Sequence, residues 1–377
     1  MIYADHNATT PMRPEARDAM LRAAEIGANP SSIHGAGRNA RRVLETARKQ
    51  VAAAIGASAQ DVVFTSGGTE ASALALQGAA RKLEGKQVTL LLTKLEHSAV
   101  RDNAAASGLP TKTIPVLANG TLDLEALRTE VAALQDAGHM PFLALMLANN
   151  ETGVIQPVAE AAQIVREAGG LTHCDAVQGL GKIQVNTLLL GVDFLALSAH
   201  KCGGPAGVGA LWVRPGAPLI PLMLGGGQER SLRSGTENLL GIAAFGAAAE
   251  ASVAALDEMQ ALADRRDAME ARLKSEAGVT IFGETTARLP NTSCFAQPAF
   301  SSDTQVMAMD LEGVCISAGS ACSSGKVKVS GVLSAMGVSD ALASCAIRIS
   351  FGWNSVPEDF EAVADAWLKV TARRKAG

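Results

Sequence analysis

The residues best suited to chemistry in this sequence lie in short polar clusters, each just after an apolar run. The first is Ser66-Gly67-Gly68-Thr69-Glu70. Glycines let a backbone approach an anion, and the N–H groups of a helix start bind phosphate. The same residues also suit an ordinary capped helix. The loop lacks the Lys of a Walker motif, which disfavours a nucleotide triphosphate. Glu96-His97 comes next, where an imidazole could stack on a flat ring or shuttle a proton. Asn149-Asn150-Glu151 and Asp175-Ala176-Val177-Gln178 follow later runs. An Asp at a strand end can pair with a pyridinium nitrogen and make the ring an electron sink. It can equally cap the next helix.

Ser198-Ala199-His200-Lys201-Cys202-Gly203-Gly204 closes the series. An unpaired cation at the end of a buried strand is costly. Such lysines often have depressed pKa values and condense with aldehydes. A further Gly-rich segment, 225–238, has the content for another phosphate contact or for a solvated loop. Taken together, the clusters supply a phosphate cradle, a stacking His, an Asp for a ring nitrogen, a Gln for a phenolic oxygen and a Lys for an aldehyde. That set is the one pyridoxal phosphate (PLP) requires, with Lys201 as its carrier.

Positioning these groups calls for a layered sheet. The runs at 61–65, 88–93, 142–148, 171–174, 194–198 and 208–213 read as strands, and 69–81 and 158–168 as helices. Continuous apolar strands between helices indicate a parallel or mixed sheet covered on both faces, with ligands at the carboxyl ends of strands. After Thr236 the pattern changes to a long Ala-rich helical region over 239–277. Shorter strands at 279–282 and 292–295 follow, then a final helix at 357–373. The expected division is a large domain at 12–254 and a smaller α+β domain made of 1–11 and 255–377.

The chain has 377 residues, 48% of them hydrophobic, enough for a large core and more than one domain. Its net charge of −4 and 3% aromatic content argue against nucleic acid as a partner. No apolar stretch has the length and character of a membrane span, and the first residues lack a signal-peptide pattern, so a cytoplasmic protein without a membrane partner is expected. The six cysteines form no C-x-x-C pair, which disfavours a structural zinc site.

The order of these motifs resembles the cysteine desulfurases, within the fold-type-I PLP enzymes related to class V aminotransferases. The resemblance runs from Tyr3-Ala4-Asp5-His6-Asn7-Ala8-Thr9-Thr10-Pro11 through Asn29-Pro30-Ser31-Ser32 and His34 to Arg348. Its most specific part is Ser317-Ala318-Gly319-Ser320-Ala321-Cys322-Ser323-Ser324-Gly325. This matches the nitrogen-fixation and housekeeping iron–sulfur subgroup, whose catalytic cysteine rides on a longer loop. The resemblance implies an α/β, fold-type-I transferase acting on L-cysteine. Lys201 would bind the cofactor aldehyde, His97 would stack on the ring, Asp175 would pair with the ring nitrogen and Gln178 would contact the ring oxygen. Gly68, Thr69, Ser198 and His200 would hold the phosphate, with Thr236 contributed by the other subunit of a homodimer. Asn150 and Arg348 would bind the substrate carboxylate, Asn150 also touching the cofactor. Cys322 would be the nucleophile that takes the sulfur as a persulfide, releases alanine, and passes the sulfur to an iron–sulfur scaffold or other acceptor protein. Any metal contact would be a transient one between Cys322 and an iron–sulfur cluster. Two features depart from the family pattern, Ala71-Ser72-Ala73 after Glu70 and Cys202 beside Lys201. The alternatives are a selenocysteine lyase, a small-amino-acid aminotransferase, or a sulfur-assembly platform that has lost its chemistry.

Overall fold

A computed structural model describes residues 1–319 and 329–376. The apolar runs pair into a seven-stranded mixed sheet in the order Val62–Thr65, Gly209–Val213, Phe194–Ser198, Leu171–Asp175, Met140–Met146, Val88–Leu92, Thr111–Thr113. Gly209–Val213 alone runs opposite to the other strands. Side chains alternate between the two faces of a strand. Leu195 and Leu197 therefore enter one core with Leu143, Leu145 and Phe64, while Phe194 and Ala196 enter another with Phe142, Leu90 and Val63. Helices Gly35–Ala54, Leu124–Asp136, Val158–Glu167 and Leu239–Ala254 seal the first core. Helices Gly68–Lys82 and Ser98–Ala106 seal the second. Burial on both faces is why these strands read as continuous apolar runs.

The helical region expected over 239–277 is not one helix. It is Leu239–Ala254, Leu256–Gln260 and Leu262–Ala277, with a 63° bend between the first and the rest. Among the described residues no single helix is long and apolar enough to cross a membrane. Leu239 to Ala249 belong to the sheet's core, whereas Met269 and Leu273 pack with Phe295, Ile347, Phe360 and Trp367. This second core lies under a four-stranded antiparallel sheet ordered Ser317–Ala318, Ala346–Ser350, Thr292–Ala296, Thr280–Ile281, backed by helix Pro357–Ala376. Inside it, the Trp367 indole N–H donates to Gln305 Oε1 at 2.8 Å, so the ring is buried without an orphaned donor.

The first residues join this smaller unit. Ile2–Tyr3 pairs in parallel with Val314–Cys315, Ala4 enters the second core, and Asp5 bridges to Ser350. We propose 1–11 with 255–377 as one domain and 12–254 as the other.

Candidate active site

At the carboxyl ends of the large sheet's strands, facing the small domain, lies a cavity of about 330 Å³. That volume is in the range of small-molecule sites. Gly68 and Thr69 line it from the first turn of helix Gly68–Lys82, with Ser198 and His200 beside them. A Cβ at Gly68 would lie 2.6 Å from Val177 Cγ2, so only glycine lets this helix start sit so close to the Asp175–Gln178 turn. Glu70 accepts from the Ser66 backbone N–H at 2.7 Å and pairs with Arg233 Nε at 2.8 Å. The 66–70 loop is thereby braced from within and from the Gly-rich segment.

His97 caps helix Ser98–Ala106. Its Nδ1 accepts the Ala99 N–H at 3.1 Å, which leaves Nε2 as the proton-bearing nitrogen of the neutral ring and fixes the ring at the cavity wall. Asp175 ends its strand and accepts the Val177 N–H at 3.0 Å. Burial pushes its pKa up, against the charges of His97 and Lys201 that hold it down. A protonated ring nitrogen against this carboxylate would supply the missing counter-charge. Burial, then Lys201 and Lys182, lower the His200 pKa to about 4, so this imidazole is neutral at pH 7. Its Nδ1 lies 3.0 Å from Thr9 Oγ1.

Lys201 reaches the cavity from the short turn after Phe194–Ser198. Gly203, at φ +94°, lets the chain reverse there, and its missing Cβ would lie 2.6 Å from Arg13 Cγ. The Lys201 Nζ donates to the carbonyls of Asn7 at 2.6 Å and Ala8 at 2.7 Å. Gln178 Nε2 donates to the same Asn7 carbonyl at 2.9 Å.

The small domain supplies the opposite wall. Arg348 leaves strand Ala346–Ser350 fully buried, its Nη2 on Asp5 Oδ1 at 2.6 Å and its Nη1 on the Asn150 carbonyl at 3.0 Å. Its Nε is a buried donor with no partner among the described residues. The end of the guanidinium is therefore already engaged by the protein. Ser317 pairs in register with Arg348, and Ser330 Oγ bonds Glu151 Oε2 at 2.5 Å. Both flanks of 320–328 are thus fastened at the cavity edge. Burial raises the Glu151 pKa to about 7.

The cavity brings Lys201, His97, Asp175, Gln178, Asn150 and Arg348 together with the phosphate-loop residues. Thr236 is not among its lining residues. It is exposed, as is most of the 225–238 segment, in which only Glu229 and Ser234 are buried. Glu229 in that segment is buried, receives both Nη atoms of Arg48 at 2.6 and 2.8 Å, and accepts the Phe64 N–H at 2.8 Å. Glu229, Arg230 and Ser231 all have φ between 46° and 63°, strain that this pairing holds in place. Cys322 lies outside the described residues. The other five cysteines are free thiols and none lines the cavity. Burial pushes Cys202 up to about 11 and also raises Cys174 and Cys294 well above the ordinary thiol range, which makes them poor nucleophiles.

The roles of Asp5, Asn7 and Glu151 do not follow from the motifs that contain them, and Lys182 belongs to no motif. Asn7 was legible only as a member of the Tyr3–Pro11 motif. Lys182 had one signal, its i+4 spacing from Gln178.

A sheet with a lysine, an aspartate and an anion-binding helix start at its strand ends defines a fold-type-I PLP enzyme. The Aminotransferase class-V family pattern matches residues 2–363, and the chain belongs to that family. It is 39% identical over 375 residues to "Cysteine desulfurase IscS" of Dictyoglomus turgidum, covering 98% of this chain and 94% of that protein. It is 41% identical over 366 residues to "Cysteine desulfurase" of Cereibacter sphaeroides, covering 95% and 92%. A solved NifS-like protein superposes with a TM-score of 0.90 at 34% identity over 99% of both chains. A NifS-like protein from Rickettsia africae superposes at 0.89 with 33% identity, over 99% of both chains.

Proposed function

We propose that this chain is a PLP-dependent cysteine desulfurase that converts L-cysteine to L-alanine and leaves a persulfide on Cys322. One observation carries the reading: a lysine amine, a buried strand-end carboxylate and the glycine-opened start of a helix share one cavity with a buried arginine from strand Ala346–Ser350. The donor set suits the cofactor. Gly68, Thr69, Ser198 and His200 would hold its phosphate, Asp175 its ring nitrogen, Gln178 its ring oxygen, and Lys201 its aldehyde carbon. Bound there, it would supply a sink for the electron pair left when the substrate's α C–H bond breaks.

The chain's own residues do the rest. Arg348 and Asn150 orient the substrate carboxylate, and Asp5 keeps the Arg348 guanidinium aligned. The Lys201 amine takes the α-proton, and the His97 ring, with its proton on Nε2, would lie against the cofactor ring. Cys322 as thiolate attacks the substrate sulfur. The substrate C–S bond breaks as the S–S bond to Cys322 forms, and the carbon takes the electron pair and a proton to become the methyl group of alanine. No outside oxidant or reductant is consumed. Cys322 is three residues beyond Gly319, about 10 Å of extended chain. Gly319 itself is hydrogen-bonded to Ala346, two residues before Arg348.

The sulfur would pass to an iron–sulfur scaffold or another acceptor protein, with Cys322 touching the growing cluster only in transit. We further propose a homodimer in which Thr236, exposed on the braced 225–238 segment, completes the phosphate site of the second copy. Free thiols at all five described cysteines support a reducing, cytoplasmic setting.

The test is to give the PLP-loaded protein L-cysteine and a reductant and to measure alanine and sulfide. Equal amounts of both are expected from the parent, and neither from Lys201→Ala or Cys322→Ala. Alanine and sulfide from Cys322→Ala at the parental rate would reject the mechanism and favour another PLP enzyme.

A further inference from the structure

Lys182 has no part in the chemistry above, yet it is fully buried behind the cavity. Burial, then the positive charges of Lys201 and Arg348, hold its pKa well below the usual lysine range. Among the described residues it forms no ion pair with a carboxylate. Its Nζ instead donates to two amide oxygens, Asn7 Oδ1 at 2.8 Å and Gln178 Oε1 in a very short contact. A buried ammonium held only by neutral acceptors is expensive, and replacing such a group by an apolar one is often neutral or stabilising. Its place here therefore points to a role other than stability.

The geometry of its two partners supplies that role. An ammonium can only donate. By occupying Gln178 Oε1, Lys182 fixes which way that amide faces, so the Gln178 N–H₂ must point away from it. There it meets the Asn7 carbonyl, the same atom that receives the Lys201 amine. The Asn7 side chain is held in turn. Its Oδ1 is bound by Lys182, and its Nδ2 donates to Thr292 Oγ1 at 2.9 Å and to the Asn150 carbonyl at 3.2 Å. One buried cation thus orders the group that faces the ring oxygen and the carbonyl that seats the reactive amine.

We infer that Lys182 is a positioning residue: it locks the donor face of Gln178 into the cavity and, in its protonated form, sets a second positive charge behind the Lys201 nitrogen. This inference rests on the PLP reading above. Asp175 and His200 also face the Lys201 nitrogen and stay in place in the variants, and a positive charge close to a cationic nitrogen favours its deprotonated form. Removing Lys182 therefore raises the pH at which the Lys201-bound cofactor loses its proton.

The experiment compares the PLP-loaded parent, Lys182→Met, Lys182→Arg and Lys182→Gln, and follows the visible absorbance of the bound cofactor against pH. Lys182→Met keeps the bulk and removes the charge, and its melting temperature without cofactor should equal or exceed the parent's. Its titration midpoint should move up by about 1 pH unit. Its kcat should fall about 10-fold while KM for L-cysteine stays within about 2-fold, because Arg348 is untouched. Lys182→Arg should recover at least half of the shift. Lys182→Gln keeps a donor without charge and gives the same reading should the methionine variant not fold. A midpoint in the neutral variants within about 0.2 units of the parent's overturns the inference and leaves the PLP reading intact. A parent that develops no visible band with added PLP overturns that reading and this inference with it.

Discussion

The cavity has two walls that are held in different ways. The large-domain wall is fixed locally. His97 is set by a hydrogen bond to Ala99, Asp175 by one to Val177, and the 66–70 loop by Glu70 reaching back to Ser66. Every one of these contacts spans no more than four residues. The small-domain wall is fixed over long distances in the chain. Arg348 pairs with Asp5 across 343 residues, Asn7 reaches Lys201 across 194, and Ser330 reaches Glu151 across 179. The first wall is a property of strand ends. The second exists only once both domains are folded and docked.

That difference assigns the two halves of the chemistry. The rigid wall suits a cofactor that stays. The assembled wall, from which the chain enters and leaves 320–328, suits a substrate that comes and goes and a thiol that must accept sulfur. The sharpest break between them is a pair of variants. Lys201→Ala should abolish turnover, with a loss of at least about 10³-fold, and should also remove the visible absorbance of the bound cofactor. Cys322→Ala should lose a similar factor in sulfide and alanine release but keep the cofactor spectrum unchanged. A spectrum lost in both variants would mean that the two walls are not separable.

Arg348→Lys probes the assembled wall more gently. Loss of a planar donor set should raise KM for L-cysteine by about 10- to 100-fold in steady-state assays. It should also loosen the N-terminal segment, because Asp5 loses its partner.

A variant outside the reaction tests the rigid wall through stability alone. Glu96 is buried and accepts the Met146 N–H at 3.1 Å, while burial, reinforced by Asp175, raises its pKa to about 8. A carboxyl whose pKa is raised on folding contributes stability that is complete below its ordinary pKa of 4.5 and is lost as pH rises through about 8. Glu96→Gln removes this loss. Denaturant melts should show the variant gaining on the parent between pH 5 and 9, by on the order of a few kcal/mol. A constant difference across that range would contradict the assignment.

The same contrast explains what could be read from the sequence. Asp175, His97 and Lys201 announced themselves because each directly follows an apolar strand, and Val/Leu-rich runs buried on both faces are easily recognised. The helices Pro14–Ala24 and Gly35–Ala54 are absent from the elements that the sequence pattern marks, and 239–277 reads as a continuous helical region although it bends after Ala254. Helical propensity persists through that Ala-rich stretch, and the bend arises because its two ends pack into different cores. Asn7 and Lys182 were hidden for a different reason. Neither type is unusual at its position, and their meaning comes from partners such as Lys201 and Thr292 that only the tertiary fold brings near.

The account stands or falls on where the sulfur goes. PLP-loaded protein treated briefly with L-cysteine and no reductant, then digested and weighed by mass spectrometry, should show the Cys322 peptide heavier by one sulfur atom. The Cys202 and Cys294 peptides should be unchanged. Alanine released in full with the Cys322 peptide still at its original mass would contradict it.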